Sequence, residues 1–363
     1  MKKIQVTEPF LPPFSEYQKL IEDIWDRNWL TNNGPILKSF EDELKNYLET
    51  ENLLVVSNGT IAIQFAIKSL ELSGEIITTP FSYVATTSSI VWETCTPVFA
   101  DIDEQTFNID PEKVREKITN KTSAILATHV FGNPCDIDAL SSIAKEHNLK
   151  LIFDAAHAFG SRYKKQSVLN YGDISTLSLH ATKLFHCIEG GAICSSNKEV
   201  ISKITYLRNF GHDGPEKFNG LGINGKNSEF HAAMGLLNLR YAEDILTKRK
   251  NDFITYYAQL KDLERISFQH FDENAFNYSY FSLVFESENL CLRVFNRLQE
   301  NNIFPRRYFY PTLNQLDYIA ESKQKTPIAD SISSRILCLP LSFQIKENEI
   351  EKICGIIREE LKL

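Results

Sequence analysis

Residues 53–70, LLVVSNGTIAIQFAIKSL, read as a short apolar strand, a polar turn and a helix. Leu53–Val56 is too short for a helix and too apolar for a surface loop, whereas Ile61 to Leu70 carries apolar residues at helical spacing. Ser57, Asn58, Gly59 and Thr60 between them are residue types that start helices. The same alternation recurs along the chain. The runs Glu75–Thr79, Pro97–Ala100, Ser123–His129, Lys150–Phe153, Ile174–Leu179 and Gly191–Ser195 are separated by longer segments of helical period. Seven strands joined by crossover helices predict an α/β fold with a mainly parallel sheet flanked by helices. Ligands of such sheets collect at the carboxyl ends of the strands, so the polar residues that follow each run are the candidates for chemistry.

The chain has 363 residues, enough for two domains. Beyond residue 228, SEFHAAMGLLNLRYAEDILTKRKNDFITYYAQL reads as one helix of about thirty residues joining a large domain to a smaller one. Strands at Tyr278–Phe285 and Ile336–Leu339 and a closing helix at Glu347–Leu361 make the remainder a small C-terminal α/β domain. The expected division is 1–248 and 249–363. A formal net charge of −8 argues against a protein that neutralises a nucleic-acid backbone. Seven cysteines, at positions 95, 135, 187, 194, 291, 338 and 354, include no CxxC pair, so neither a disulfide framework nor a cysteine-rich metal site is expected. The N-terminus MKKIQVTEPFLPPF has no apolar signal-peptide core, and the most apolar stretch, around 76–92, is broken by Thr, Ser and Pro. A cytoplasmic protein without a membrane partner is the expectation.

Three polar stretches stand out. In SNGT (57–60), backbone N–H groups at a helix N-terminus form a ready anion site, most naturally for a phosphate, although an ordinary N-cap explains the same residues. In KLIFDAAHAFG (150–160), Asp154 follows an apolar strand, where its carboxylate needs a cation such as a protonated heterocyclic nitrogen; the alternative is a helix cap, with His157 a satisfied core histidine. In GDISTLSLHATKLFHCIEGGAI (172–193), Lys183 follows a strand in a polar stretch, where partial burial would make it a usable amine nucleophile instead of a solvated surface charge. A phosphate turn, an acid and a lysine around one sheet crevice fit pyridoxal phosphate, whose handles are a phosphate, a ring nitrogen and an aldehyde.

The chain also resembles the DegT/DnrJ/EryC1/StrS sugar aminotransferases, pyridoxal-phosphate enzymes of fold type I. The resemblance rests on WLTNNGP (29–35), SNGT (57–60), TTPFSYVATTSSI (78–90), FADIDEQTFNIDPE (99–112), HVFGNPCD (129–136), FDAAHAFG (153–160), SLHATKLFHCIEGGAI (178–193), RNFGHDG (208–214) and NGKNSEFHAAMG (224–235), all in family order. It implies that Lys183 is the lysine that binds the aldehyde and shuttles protons. Asp154 then pairs with the pyridine nitrogen, His157 lies beside the ring, and Gly59, Thr60 and Ser178 contact the phosphate. Tyr83 would stack on the ring. Asn224 matches a phosphate ligand that the family supplies from a neighbouring subunit, which implies a homodimer with shared active sites.

The resemblance further implies a ping-pong exchange in which L-glutamate leaves as 2-oxoglutarate and a nucleotide-linked keto sugar receives the amine. Relatives that dehydrate carry histidine in place of the lysine; here Ala181-Thr182-Lys183 is intact, and His180, three residues earlier, reads as structural or as lining the substrate end. HVFGNPCD, HATKLFHCIEGG, RNFGHDG and PRRYFYPTL (305–313) look most like the enzymes that make dTDP-4-amino-4,6-dideoxyglucose for surface polysaccharide such as O-antigen. The runner-up is a 3-keto sugar aminotransferase. Arg306, Arg307, Tyr308 and Tyr310 are expected as a lid over the anionic sugar nucleotide, against the alternative of a plain solvated strand. A cysteine desulfurase is disfavoured because Cys338 lies in the apolar run ILCLPL. A catalytically silent regulator is disfavoured by the retained lysine, acid and phosphate turn.

Overall fold

The computed structural model describes residues 3–319 and 324–362. Seven strands form one sheet: β1 (Leu53–Val56), β2 (Glu75–Thr78), β3 (Thr96–Phe99), β4 (Thr122–Thr128), β5 (Lys150–Asp154), β6 (Ile174–Ser178) and β7 (Gly191–Cys194). Their order is β1-β7-β6-β5-β4-β2-β3, with β7 antiparallel to both neighbours and the other pairings parallel. All seven expected strands are present, each within a residue of its expected bounds.

The near-continuous apolar strands follow from burial on both faces. Successive residues feed opposite cores: Ile125, Phe153 and Leu177 join a cluster with the helices Phe14–Arg27 and Pro35–Tyr47, whereas Leu126, Ile152 and Ile193 join one with the helix Gly59–Ser69. Side chains cover both edges of the sheet. On β1, the Val55 N–H donates to Glu41 (2.7 Å), the Val55 carbonyl accepts from Arg208 (2.7 Å), and Arg208 and Glu41 pair with each other. On β3, the Gln324 amide accepts from the Phe99 N–H (2.7 Å) and donates to the Pro97 carbonyl (3.3 Å), occupying the edge as a neighbouring strand would.

The long helix expected over 228–260 is two helices, Glu229–Leu239 and Ala242–Leu260. Tyr241 breaks it: its φ/ψ of −104°/5° is not helical, its ring packs on Phe10, and its hydroxyl donates to Glu16. Glu243 and Asp244 then sit in the first turn of the second helix, where the positive end of the new dipole favours them. That helix runs through residue 248.

The strands β8 (Ile266–Ser267), β9 (Phe281–Phe285) and β10 (Ile336–Leu339) form a second, antiparallel sheet. It packs with the helices Glu288–Glu300 and Glu347–Lys362 around a core of its own. β9 starts three residues later than expected because the preceding residues turn toward the large sheet: Asn277 and Ser279 both donate to the His157 carbonyl, at 2.7 and 2.6 Å. The N-terminal strand Ile4–Gln5 pairs in parallel with Ile303–Phe304, so the start of the chain lies with its C-terminal part.

Two of the quoted motifs meet in a structural contact. Glu229 is fully buried, and its carboxylate accepts from the N–H groups of Ile36 (3.0 Å) and Leu37 (2.8 Å) and pairs with Arg27. It thus caps the helix Pro35–Tyr47 from almost two hundred residues away. Gly34 is required by the same contact, since a Cβ there would lie 2.4 Å from the carboxylate carbon. Glu229→Ala leaves two helix-end donors buried without an acceptor and is expected to cost about 2–3 kcal/mol. A fall in the chemical-denaturation midpoint with native far-UV circular dichroism checks this; an unchanged midpoint contradicts it.

Candidate active site

The carboxyl ends of β4, β5 and β6 open into a cavity of about 430 Å³, large enough for a cofactor-sized ligand. Asp154, the last residue of β5, is almost fully buried in its wall. Its Oδ2 accepts from the Thr86 hydroxyl (2.7 Å) and its Oδ1 from the Ala156 N–H (3.1 Å). Burial raises its pKa, while those two donors and the Lys183 charge pull the other way.

Lys183 lies on the loop between β6 and β7. That loop is held by backbone bonds from Leu179 to Gly190 (2.8 Å), Ala181 to Ile188 (2.8 Å) and Cys187 to Leu179 (2.9 Å), so the lysine sits on a fixed support. Burial lowers its pKa to about 8, against the pull of the Asp154 carboxylate. An amine with that pKa has a substantial neutral fraction near physiological pH, where an ordinary lysine is almost wholly charged, and the neutral form is what a nucleophile or base requires.

The SNGT turn is an N-cap that also borders the cavity. Asn58 is the N-cap of the helix Gly59–Ser69, its side chain accepting from the Ile61 N–H (2.8 Å). The N–H groups of Gly59 and Thr60 take no acceptor among the described residues, and both residues line the cavity. A Cβ at position 59 would lie 3.0 Å from the Ser178 Cβ and fill the mouth of the turn. A cradle of two free amides, next to a serine and on a helix dipole, suits a phosphate.

His157 lines the same cavity, its ring stacked on Phe309 at 5.7 Å and edge-on to Tyr280 at 5.1 Å. Burial and the nearby Lys183 hold it well below the usual histidine range, so the ring is neutral, and its buried Nδ1 makes no hydrogen bond among the described residues. Tyr83 lies at the cavity mouth, half its surface exposed. His180 lines the opening with Nδ1 accepting from the Thr182 N–H (3.2 Å) and Nε2 3.4 Å from Glu189 Oε1, which places the proton on Nε2.

Of the four residues expected as a lid, Arg306 and Tyr308 line the cavity. The Arg306 guanidinium lies 5.8 Å from the Tyr308 ring and has no acidic partner among the described residues. Arg307 and Tyr310 turn away: Arg307 pairs with Glu288 (2.7 Å) and stacks on Tyr310 at 3.6 Å. Asn224 is exposed and does not line the cavity of its own chain. Cys338 is fully buried and burial raises its thiol pKa, the reverse of an activated nucleophile.

The structure adds Ser82, Thr86, Thr128, Glu189 and Tyr280 to the site. Thr128 had a signal, as the polar end of an apolar run. Ser82 and Thr86 sat within a quoted motif where Tyr83 drew the attention. Glu189 sat within a quoted motif where Lys183 drew the attention, and Tyr280 carried no signal, because the approach of the second sheet brings it in.

Residues 14–358 match the DegT/DnrJ/EryC1/StrS aminotransferase family. The dTDP-4-amino-4,6-dideoxy-D-glucose transaminase of Shigella dysenteriae is 43% identical over 363 residues, covering 99% of each chain. The transaminase of the same name from Escherichia coli is 38% identical, covering 98% of each. Among solved structures, DesI in the presence of its TDP-sugar product superposes with a TM-score of 0.94 at 29% identity, covering 99% of this chain and 93% of that one.

The lowered Lys183 pKa predicts selective labelling. With a small aldehyde and cyanoborohydride, peptide mass spectrometry is expected to find Lys183 alkylated in preference to surface lysines, with a half-point near pH 8. A half-point at the ordinary lysine value, about 10.4, contradicts it.

Proposed function

This chain belongs to the DegT/DnrJ/EryC1/StrS aminotransferase family, and on that premise we propose that it moves an amino group from L-glutamate to the keto carbon of a dTDP-linked 4-keto-6-deoxyhexose, forming dTDP-4-amino-4,6-dideoxyglucose. The observation that carries the reading is the convergence of Asp154, Lys183 and the free Gly59 and Thr60 amides on one cavity. The 4-keto sugar is supported by two near full-length relatives that share the corresponding name.

Pyridoxal phosphate is the cofactor, and when bound it supplies an electron sink that stabilises a carbanion next to the transferred nitrogen. The residues present fit it. The Gly59 and Thr60 N–H groups and the Ser178 hydroxyl donate to its phosphate. Asp154 would accept from a protonated ring nitrogen, a cation that would offset the cost of burying the carboxylate. Tyr83 offers an aromatic face to the ring, and neutral His157 offers an Nδ1 that has no hydrogen-bond partner among the described residues. Lys183 would hold the aldehyde end and, as a neutral amine, would take up and give back a proton at the substrate carbon. Arg306, which has no acidic partner among the described residues, would bind the diphosphate of the sugar nucleotide, with His180 and Tyr308 beside it.

The active unit is a homodimer in which Asn224 reaches the phosphate of the neighbouring subunit. Phe210, Phe218, Leu221 and Ile223, close to Asn224 in sequence, are exposed large apolar residues, which is consistent with an interface there. The enzyme works in the cytoplasm, and its product enters surface-polysaccharide synthesis.

Incubation with L-glutamate and a panel of dTDP-, UDP- and GDP-linked 3-keto and 4-keto sugars tests the reading. NMR is expected to place the new amine at C4 of the dTDP sugar; an amine at C3, or no reaction, contradicts it. Lys183→Ala is expected to lower turnover by about a thousandfold or more while still binding sugar nucleotide. Mixing refolded Asn224→Ala and Lys183→Ala chains tests the shared site. Random pairing leaves one intact site in half of the dimers, so activity is expected to return to about a quarter of wild type; no recovery contradicts the sharing.

A further inference from the structure

Asp154 lies at the end of a chain of buried hydroxyls. Thr128, at the end of β4, donates to Ser82 Oγ (3.2 Å), Ser82 lies 2.8 Å from Thr86 Oγ1, and Thr86 donates to Asp154 Oδ2 (2.7 Å). All four side chains are at least nine-tenths buried. The direction of the chain follows from counting protons. An ionised carboxylate only accepts, so the one Thr86 proton goes to Asp154; the Ser82 proton must then go to Thr86, and the Thr128 proton to Ser82. Two stretches distant in sequence, one holding Thr128 and the other Ser82 and Thr86, thus supply three aligned O–H dipoles that end on one oxygen, each bond polarising the next.

We propose that Thr128, Ser82 and Thr86 form a one-way relay of positioning residues that holds Asp154 as the ionised acceptor facing the cofactor ring nitrogen. The proposal rests on the reading of the cavity as a pyridoxal-phosphate site. The relay works against burial, which on its own would favour the neutral acid and so weaken the electron sink. Of the other groups facing Asp154, the Lys183 charge supports its ionised form. The nearby His157 and His129 rings are both driven toward neutrality by burial, so neither supplies a positive charge, and burial pushes the Cys135 thiol up, so it stays neutral.

The test uses protein loaded with cofactor labelled with ¹⁵N in the ring, whose chemical shift reports ring protonation independently of turnover. In wild type the ring nitrogen is expected to stay protonated through neutral pH. In Thr86→Val, which keeps the shape and removes the hydroxyl, its deprotonation is expected to move down by about one pH unit, with kcat about tenfold lower and both KM values within about twofold. Thr86→Ser should restore both readouts. Thr128→Val, at the far end, should give the same changes at smaller size, about two- to threefold in kcat. If Thr86→Val does not fold, Ser82→Ala breaks the chain by deleting a single oxygen. A ring-nitrogen titration identical to wild type in the folded variants, or Thr86→Ser behaving as Thr86→Val, overturns the relay. Wild-type protein that gives no cofactor signal instead overturns the functional reading beneath it.

Discussion

A carboxylate enclosed by protein at the end of a central strand is the constraint on which the site depends. Removing Asp154 from water carries a large cost, and the chain meets part of it with a backbone N–H, a hydroxyl and the charge of Lys183. The remainder calls for a cation inside the cavity, and a protonated ring nitrogen is one. The same enclosure lowers the Lys183 pKa, so a single feature of the fold acts on both the proposed acceptor for the ring and the proposed amine for the aldehyde. Parallel strands bring this about, because β5 and β6 end together at one edge and the loop after β6 returns across the opening.

Much of this was legible in the sequence because strands buried on both faces leave an unmistakable pattern. The seven apolar runs fall on the seven strands of the sheet, and the rule that chemistry follows their carboxyl ends leads to Asp154, Ser178 and Lys183. Periodicity was blind to the break at Tyr241, since a tyrosine is compatible with a helix and only its contacts with Phe10 and Glu16 end one there. It also read β9 as too long, because Asn277 and Ser279 have polar partners across the molecule that outweigh extension of the strand. Adjacent arginines show the same limit. Arg306 and Arg307 look alike in sequence, yet Glu288 and Tyr310 hold the second away from the cavity.

Several residues within the family-like motifs serve the fold more than the chemistry. Glu229 and Gly34 close the end of a helix, and Arg208 with Glu41 covers the edge of the large sheet. Asn277 ties the second sheet to the backbone of His157, fixing the wall of the cavity from the far side. These contacts explain how motifs spread over more than two hundred residues converge on one place. Each anchors an element that carries a site residue or the support beneath it.

A crystal structure of the protein grown with pyridoxal phosphate tests the central assignment most directly. The account predicts density continuous from Lys183 Nζ to the cofactor, with the phosphate against the Gly59 and Thr60 amides and the ring nitrogen within hydrogen-bond reach of Asp154. A cofactor bound in another orientation, or a cavity that stays empty at saturating concentration, would contradict it.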